Sequence, residues 1–92
     1  MMAEVTVTVG SRVGLHARPA SMFVQAAARQ PVPVRIGKPG GDAVDARSIL
    51  LVLGLDVRGG QDVVLSADGA GADEALASLG ALLATDLDAE AA

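Results

Sequence analysis

The only histidine of the chain, His16, lies in residues 14–20, which read GLHARPA. Arg18 follows it by two positions, and Pro19 opens a stretch of helical periodicity, so the pattern places His16 just before a helix N-terminus. A helix start offers N–H groups without intrahelical acceptors and the positive end of the helix dipole, so it favours an anion. An imidazole nucleophile, a guanidinium and a helix start within one turn could form and hold a phosphohistidine.

Three interpretations of His16 compete on the residues alone. It could be an ordinary polar surface or capping residue. It could be a metal ligand, but the chain has one histidine and no cysteine, so no second strong nitrogen or sulfur ligand exists. It could be a nucleophile for phosphoryl transfer, where a protein mainly supplies positioning and charge stabilisation. The residues lead to an exposed histidine suited to anions, with Arg18 and the helix amides beside it, and no further.

Size and composition narrow the function classes. The 92 residues predict one domain, 1–92, whose core is aliphatic because Phe23 is the only aromatic residue. The net charge of −4 argues against nucleic acid as a partner. Without a signal peptide or an apolar stretch of about 20 residues, we expect a cytoplasmic protein that does not insert into membranes. No cofactor and no metal are expected, and residues 85–92 are expected to fray.

The elements that must position His16 follow from periodicity. Strict alternation predicts a strand over residues 4–9, with Val5, Val7 and Val9 facing the core. Apolar residues at helical spacing predict a helix over 17–30 and another that begins near Asp73. Further strands are predicted at 32–37, 43–46 and 62–67. Alternating strands favour one antiparallel sheet with its helices on a single face.

Residues 47–55, which read RSILLVLGL, fit two structures. Ser48 could cap a helix that Gly54 ends. Against a helix, Ile49 and Val52 are β-branched, and the capping-box position lacks an acidic residue. The pattern alone leaves strand and helix open.

Residues 14–20 together with 47–50, which read RSIL, resemble the two signatures of the HPr family of phosphocarriers of the bacterial sugar phosphotransferase system. The similarity covers nearly the whole chain. It implies an α+β fold, the open-faced β-sandwich β-α-β-β-α-β-α, with four antiparallel strands in the order 1-4-2-3 under three helices. It also implies that residues 48–53 form a short helix.

The resemblance implies a carrier and not an enzyme. Enzyme I, charged by phosphoenolpyruvate, would phosphorylate His16 on Nδ1, and the group would pass to the A component of a sugar-specific enzyme II. Arg18 would be the charge partner, and the amides of Ala17 and Arg18 would contact the phosphate. Two alternatives stay open: a carrier of the nitrogen-related regulatory branch, and a non-catalytic regulator controlled at Ser48. A carrier that exposes His16 to successive partners is most simply a monomer.

Three further features each have two interpretations. Ile49, Leu50 and Leu53 share one face of the implied helix and are expected to dock partners, unless they belong to the core. Ser48 is either a helix N-cap or the site of the HPr kinase/phosphorylase, although Leu51 departs from the family pattern three residues later. In the loop before His16, Arg12 is either a solvated side chain or a source of positive potential.

Overall fold

The structure, a computed structural model, describes residues 2–85. The predicted fraying of the tail beyond Thr85 therefore lies outside the described residues. Four strands and three helices follow one another in the expected order, β-α-β-β-α-β-α. They are β1 (Met2–Thr8), α1 (Ala17–Ala28), β2 (Val34–Gly37), β3 (Val44–Asp45), α2 (Ile49–Gly54), β4 (Asp62–Asp68) and α3 (Ala72–Ala84).

The strands form one antiparallel sheet in the order β1-β4-β2-β3, as the family resemblance implied. β4 is central, and its Leu65 lies opposite Val5 of β1 on one side and Ile36 of β2 on the other. β1 therefore ends the sheet on one edge and the two-residue β3 on the other. The two strands pair along their full length, from Met2↔Asp68 to Thr8↔Asp62. The loop that follows β1 and the loop that precedes β4 therefore meet these strands side by side.

The core lies between the sheet and the helices. Phe23 of α1, Ile36 of β2, Leu65 of β4 and Leu79 of α3 are fully buried in one aliphatic cluster. Polar residues that alternate with the core positions, including Thr6, Thr8 and Arg35, are exposed. This alternation leaves the second face of the sheet open.

Three local features refine the sequence predictions. Residues 49–54 are helical, so packing decides what periodicity left open. The helix α1 ends at Ala28, two residues before the predicted boundary, ahead of Pro31. Val5 lies opposite the buried Leu65 of β4, so it faces the side of the sheet that was predicted. It is nevertheless 36% exposed because it lies on the edge strand, whereas Val9 is buried.

Candidate functional site

His16 occupies the N-cap position of α1, with an extended backbone at φ −129° and ψ 148°. Its side chain makes no capping hydrogen bond and is exposed. Ala17 and Arg18 form the first turn, whose N–H groups have no intrahelical acceptor by construction. Ala17 has a φ of +46°, in the left-handed region that is costly for alanine. The chain therefore turns sharply at the helix start. Neither ring nitrogen of His16 accepts a hydrogen bond from the helix N–H groups.

Backbone contacts between two loops fix the position of His16. The N–H of Leu15 donates to the carbonyl of Val57 over 2.9 Å, and the N–H of Gly14 donates to Ser11 over 3.0 Å. Gly14 has a φ of +71°, and a Cβ there would lie 2.1 Å from the Val57 carbonyl oxygen. The loop that carries His16 thus lies flush against the loop before β4. Leu15 is 2% exposed, which anchors the segment in the core.

A cavity of about 300 Å³ opens beside His16, between these two loops and α2. Two arginines, one aspartate and several apolar residues form its wall together with the histidine: Arg12, Val13, Leu15, His16, Leu53, Asp56, Val57, Arg58 and Gly59. Arg58 Nη2 lies 3.6 Å from Asp56 Oδ2, with side chains 77% and 75% exposed, so water screens this pair. Arg18 is exposed and does not line this cavity.

The start of α2 is built by a network of short-range hydrogen bonds. Ser48 is the N-cap, and its Oγ accepts from the Leu51 N–H over 3.3 Å. Arg47 donates through Nε and Nη2 to the two carboxylate oxygens of Asp45, over 3.1 and 2.9 Å. The Arg47 side chain, followed by its backbone N–H, lowers the pKa of Asp45 through these hydrogen bonds. Asp45 thus stays ionised and orders the turn before the helix.

The residues after Ser48 form an exposed apolar surface. Leu50 is 80% exposed, Leu51 is 48% exposed and Ile49 is 38% exposed. Val52 is buried, and Leu53 and Leu55 are half-buried against the core. Leu53 also contributes to the wall of the cavity at His16, and α2 packs against α1. We call Ile49, Leu50 and Leu51 the α2 patch, with Leu53 linking it to the histidine.

The structure brings together some residues that the sequence predicted and adds others. His16, Leu53 and Arg12 line one cavity. Arg18 and the amide of Ala17 lie at the helix start that follows His16. Ser48 caps α2, beside the exposed patch. Sequence reasoning missed Asp56 and Arg58 in the cavity wall and the exposure of Leu51. Arg58 lies in a turn-forming segment, and no local pattern connects it to a histidine 42 positions earlier.

Residues 2–85 contain no cluster of three histidine, cysteine, aspartate or glutamate side chains that could hold a metal ion. None of their helices has the length and apolarity that a bilayer crossing requires.

The fold and the site define a class: small open-faced α+β domains that present one exposed histidine at the start of a helix. Residues 3–85 match the family profile described as "PTS HPr component phosphorylation site". The chain is 52% identical over 87 residues to the phosphocarrier protein HPr of Streptomyces coelicolor, covering 95% of this chain and 94% of that protein.

Solved structures agree with this relationship. The crystal structure of the HPr of Bacillus anthracis superposes with a TM-score of 0.83 at 36% identity, covering 89% of this chain and 96% of that one. The catabolite repression protein Crh of Bacillus subtilis, described as a domain-swapped dimer, superposes at 0.71 with 40% identity, covering 87% and 91%. The chain belongs to the HPr family, the phosphocarrier proteins of the phosphotransferase system.

Proposed function

We propose that this chain accepts a phosphoryl group from enzyme I on Nδ1 of His16 and passes it to the A component of a sugar-specific enzyme II. The observation that carries the proposal is the exposed His16 at the start of α1, with its ring uncommitted to capping. A carrier must meet two different partners in turn, and an exposed residue on a fixed backbone suits both encounters.

The chemistry requires only positioning and charge. The Nδ1 lone pair of neutral His16 attacks phosphorus while the bond from phosphorus to the donor's leaving atom breaks, and that atom keeps the electron pair. Arg18 and the N–H groups of Ala17 and Arg18 stabilise the phosphoryl oxygens, since a guanidinium and a helix start both favour anions. The second transfer repeats these steps in reverse toward the acceptor. The site thus holds the group without enclosing it.

Intact mass spectrometry after incubation with phosphoenolpyruvate and enzyme I tests the proposal. We expect a mass increase of one phosphoryl group that is lost in acid and absent from His16→Ala. Arg18→Gln should remain phosphorylatable at a reduced rate, because it keeps the nucleophile and loses the charge. An unmodified wild-type protein, or an adduct that survives in His16→Ala, would contradict the proposal.

We further propose that partners dock on Ile49, Leu50 and Leu53, together with Leu51, whose exposure joins it to the same surface. Leu50→Asp should fold normally, because the side chain is 80% exposed. It should raise the KM of enzyme I for this carrier about fivefold to tenfold, the usual effect of a change at the centre of an interface. Ala77→Asp on an exposed position of α3 is the matched control. Equal KM values for the two variants would remove the patch from the interface.

Ser48 is a candidate site of regulation by phosphorylation, because its half-exposed side chain caps α2 next to the α2 patch. A phosphate there would keep an acceptor for the helix N–H groups and add nearly two negative charges beside the docking surface. The related protein Crh is named for catabolite repression, and this name favours a regulatory role for the present chain as well. Incubation with ATP and purified HPr kinase, followed by peptide mapping, tests it. An unmodified Ser48 would exclude this control.

The cellular location, the oligomeric state and the branch of the phosphotransferase system complete the proposal. We propose that this carrier acts in the cytoplasm as a monomer, and that the acceptor it prefers sets its branch, sugar or nitrogen-related. Sedimentation at working concentrations tests the monomer, and competition between the two kinds of A component tests the branch. A regulator without phosphoryl transfer is disfavoured by the presence of His16.

A further inference from the structure

Arg58 lies against the loop that carries His16, although the two residues are distant in the chain. The contact is between backbones, because a Cβ on Gly14 would lie 2.6 Å from Arg58 Cα and 2.8 Å from the Arg58 carbonyl carbon. The following residue packs equally closely, since a Cβ on Gly59 would lie 2.5 Å from the carbonyl oxygen of Ser11. Arg58 and His16 then line the same cavity of about 300 Å³.

The backbone of Arg58 is fixed, whereas its side chain can change partner. Its N–H donates to Gln61 Oε1 over 2.9 Å, and its carbonyl accepts from Gln61 N–H over 3.1 Å. The side chain is 77% exposed, and Nη2 lies 3.6 Å from Asp56 Oδ2, which is long for a charge-assisted hydrogen bond. The Asp56 side chain is itself 75% exposed, so water weakens the ion pair and the guanidinium can leave at little cost.

A phosphoryl group on His16 is a stronger acceptor for this guanidinium than Asp56 is. It carries up to two negative charges and three acceptor oxygens, whereas a carboxylate carries one charge. A guanidinium also binds two phosphate oxygens at once through parallel N–H···O bonds. Asp56 lines the same cavity, so its negative charge opposes the arrival of the group. Arg58 therefore gains more from the phosphoryl oxygens than from its long contact with Asp56.

We propose that Arg58 leaves Asp56 when His16 is phosphorylated and binds the phosphoryl oxygens in the free carrier, before any acceptor docks. This inference rests on the proposed function and deepens it. Arg18 acts on the group from the start of α1, and Arg58 acts on it from the loop before β4. Asp56 opposes this binding, because it competes for Arg58 and repels the phosphoryl group. Arg58 thus strengthens the hold of the carrier on the group, and Asp56 limits that hold so that the group remains transferable.

Phosphorus NMR titration of the phosphorylated carrier, after enzyme I has been removed, tests the inference without a docking partner. A guanidinium on the oxygens favours the fully ionised phosphoryl group, so Arg58→Gln should make the group bind its last proton about threefold more tightly. Asp56→Asn should weaken this proton binding about twofold, and asparagine accepts the left-handed backbone of residue 56, where φ is +52°. Arg58→Lys should recover part of the loss, and salt should reduce every difference.

The equilibrium of phosphoryl transfer gives a second readout. Intact mass measures the phosphorylated fraction of the carrier with catalytic amounts of enzyme I, at a ratio of phosphoenolpyruvate to pyruvate at which neither form of the wild type dominates. Arg58→Gln should lower the ratio of phosphorylated to free carrier about threefold, and Asp56→Asn should raise it about twofold. Docking to enzyme I changes how fast this equilibrium is reached and leaves its position unchanged.

Arg29→Gln is the matched control, because it removes the same charge from an exposed position at the opposite end of α1. Values for Arg58→Gln equal to those of Arg29→Gln in both measurements would overturn the inference and leave the proposed function intact. Effects of Arg58→Gln without any effect of Asp56→Asn would overturn the exchange of Arg58 between the two acceptors. A wild-type protein that enzyme I does not phosphorylate would overturn the proposed function, and the inference with it.

Discussion

The contact of Gly14 with Val57 gives a stability prediction that depends on one atom. Alanine at residue 14 would keep a φ near +71°, at a cost of about 1–2 kcal/mol for a left-handed alanine. Its Cβ would also lie 2.1 Å from the Val57 carbonyl oxygen. An ordinary carbon–oxygen contact is about 3.3 Å or longer, so the two loops must separate by about 1 Å. That movement stretches or breaks the hydrogen bond from Leu15 N–H to Val57.

Gly60→Ala is the matched variant in the neighbouring loop. Residue 60 has a φ of +84°, and a Cβ there would have no atom within 4 Å. Gly60→Ala should therefore lose only the conformational term of about 1–2 kcal/mol. Gly14→Ala should lose that term plus about 1 kcal/mol for the hydrogen bond and a further amount for the displaced loop, in total about 3 kcal/mol or more.

Urea unfolding followed by circular dichroism measures both values, since the chain has no tryptophan or tyrosine for fluorescence. We expect the midpoint of Gly14→Ala to fall clearly below that of Gly60→Ala, with similar slopes. Under conditions where both are folded, Gly14→Ala should also accept a phosphoryl group more slowly, because the displaced loop carries His16. Equal midpoints would refute the argument that close packing of the two backbones holds the site.

Three further predictions concern α2 and the turn before it. Ser48→Ala should destabilise the protein by about 1 kcal/mol through loss of the N-cap, and Ser48→Asn should restore most of it in urea unfolding; an unchanged Ser48→Ala would contradict the capping role. Gly54→Ala should raise stability by about 0.4–1 kcal/mol, because a Cβ there meets nothing within 4 Å; a lower melting temperature would show that residue 54 needs glycine. Asp45→Asn should lower the melting temperature at pH 7. The pKa of Asp45 is lowered in the folded state by the Arg47 hydrogen bonds, so its contribution is present above the unfolded value near 3.9 and is lost as pH falls through the folded value. A difference between Asp45→Asn and wild type that persists undiminished in strong acid would contradict this origin.

The regular elements could be predicted where one periodicity ran without interruption. In α1, Pro19 at the start, Phe23 on the apolar stripe and Pro31 beyond the end all favour the same helix, and the structure places it within two residues of the prediction. Residues 49–54 carry no such signal, because five apolar residues in a row, followed by a glycine, fit a buried strand or a helix equally well. Their helicity depends on the Ser48 cap and on the burial of Val52.

One half of the site could likewise be predicted from local sequence, and the other half could not. Residues 14–20 carry the histidine, the arginine and the helix start in one stretch, so local sequence contained that half. The other half, Asp56 and Arg58, meets His16 only because β1 and β4 pair antiparallel and bring their end loops together. The exposure of Leu51 also depends on tertiary packing, since the helix turns Val52 inward and its neighbours outward. Long-range pairing of this kind leaves no periodic trace in the sequence.

The loop that carries His16 is fastened by main-chain groups of Leu15, Val57, Val9 and Gly60. Main-chain bonds are the same for almost every residue type, so the hydrogen bonds that fix the imidazole do not depend on which side chains the exposed positions of these loops carry. Positions without room for a Cβ, such as Gly14, and positions buried in the core, such as Leu15 and Val57, resist substitution. A carrier built in this manner can change at exposed positions of the proposed docking surface, such as Leu50, while its acceptor atom stays in place. The architecture therefore separates the evolution of partner choice from the preservation of chemistry.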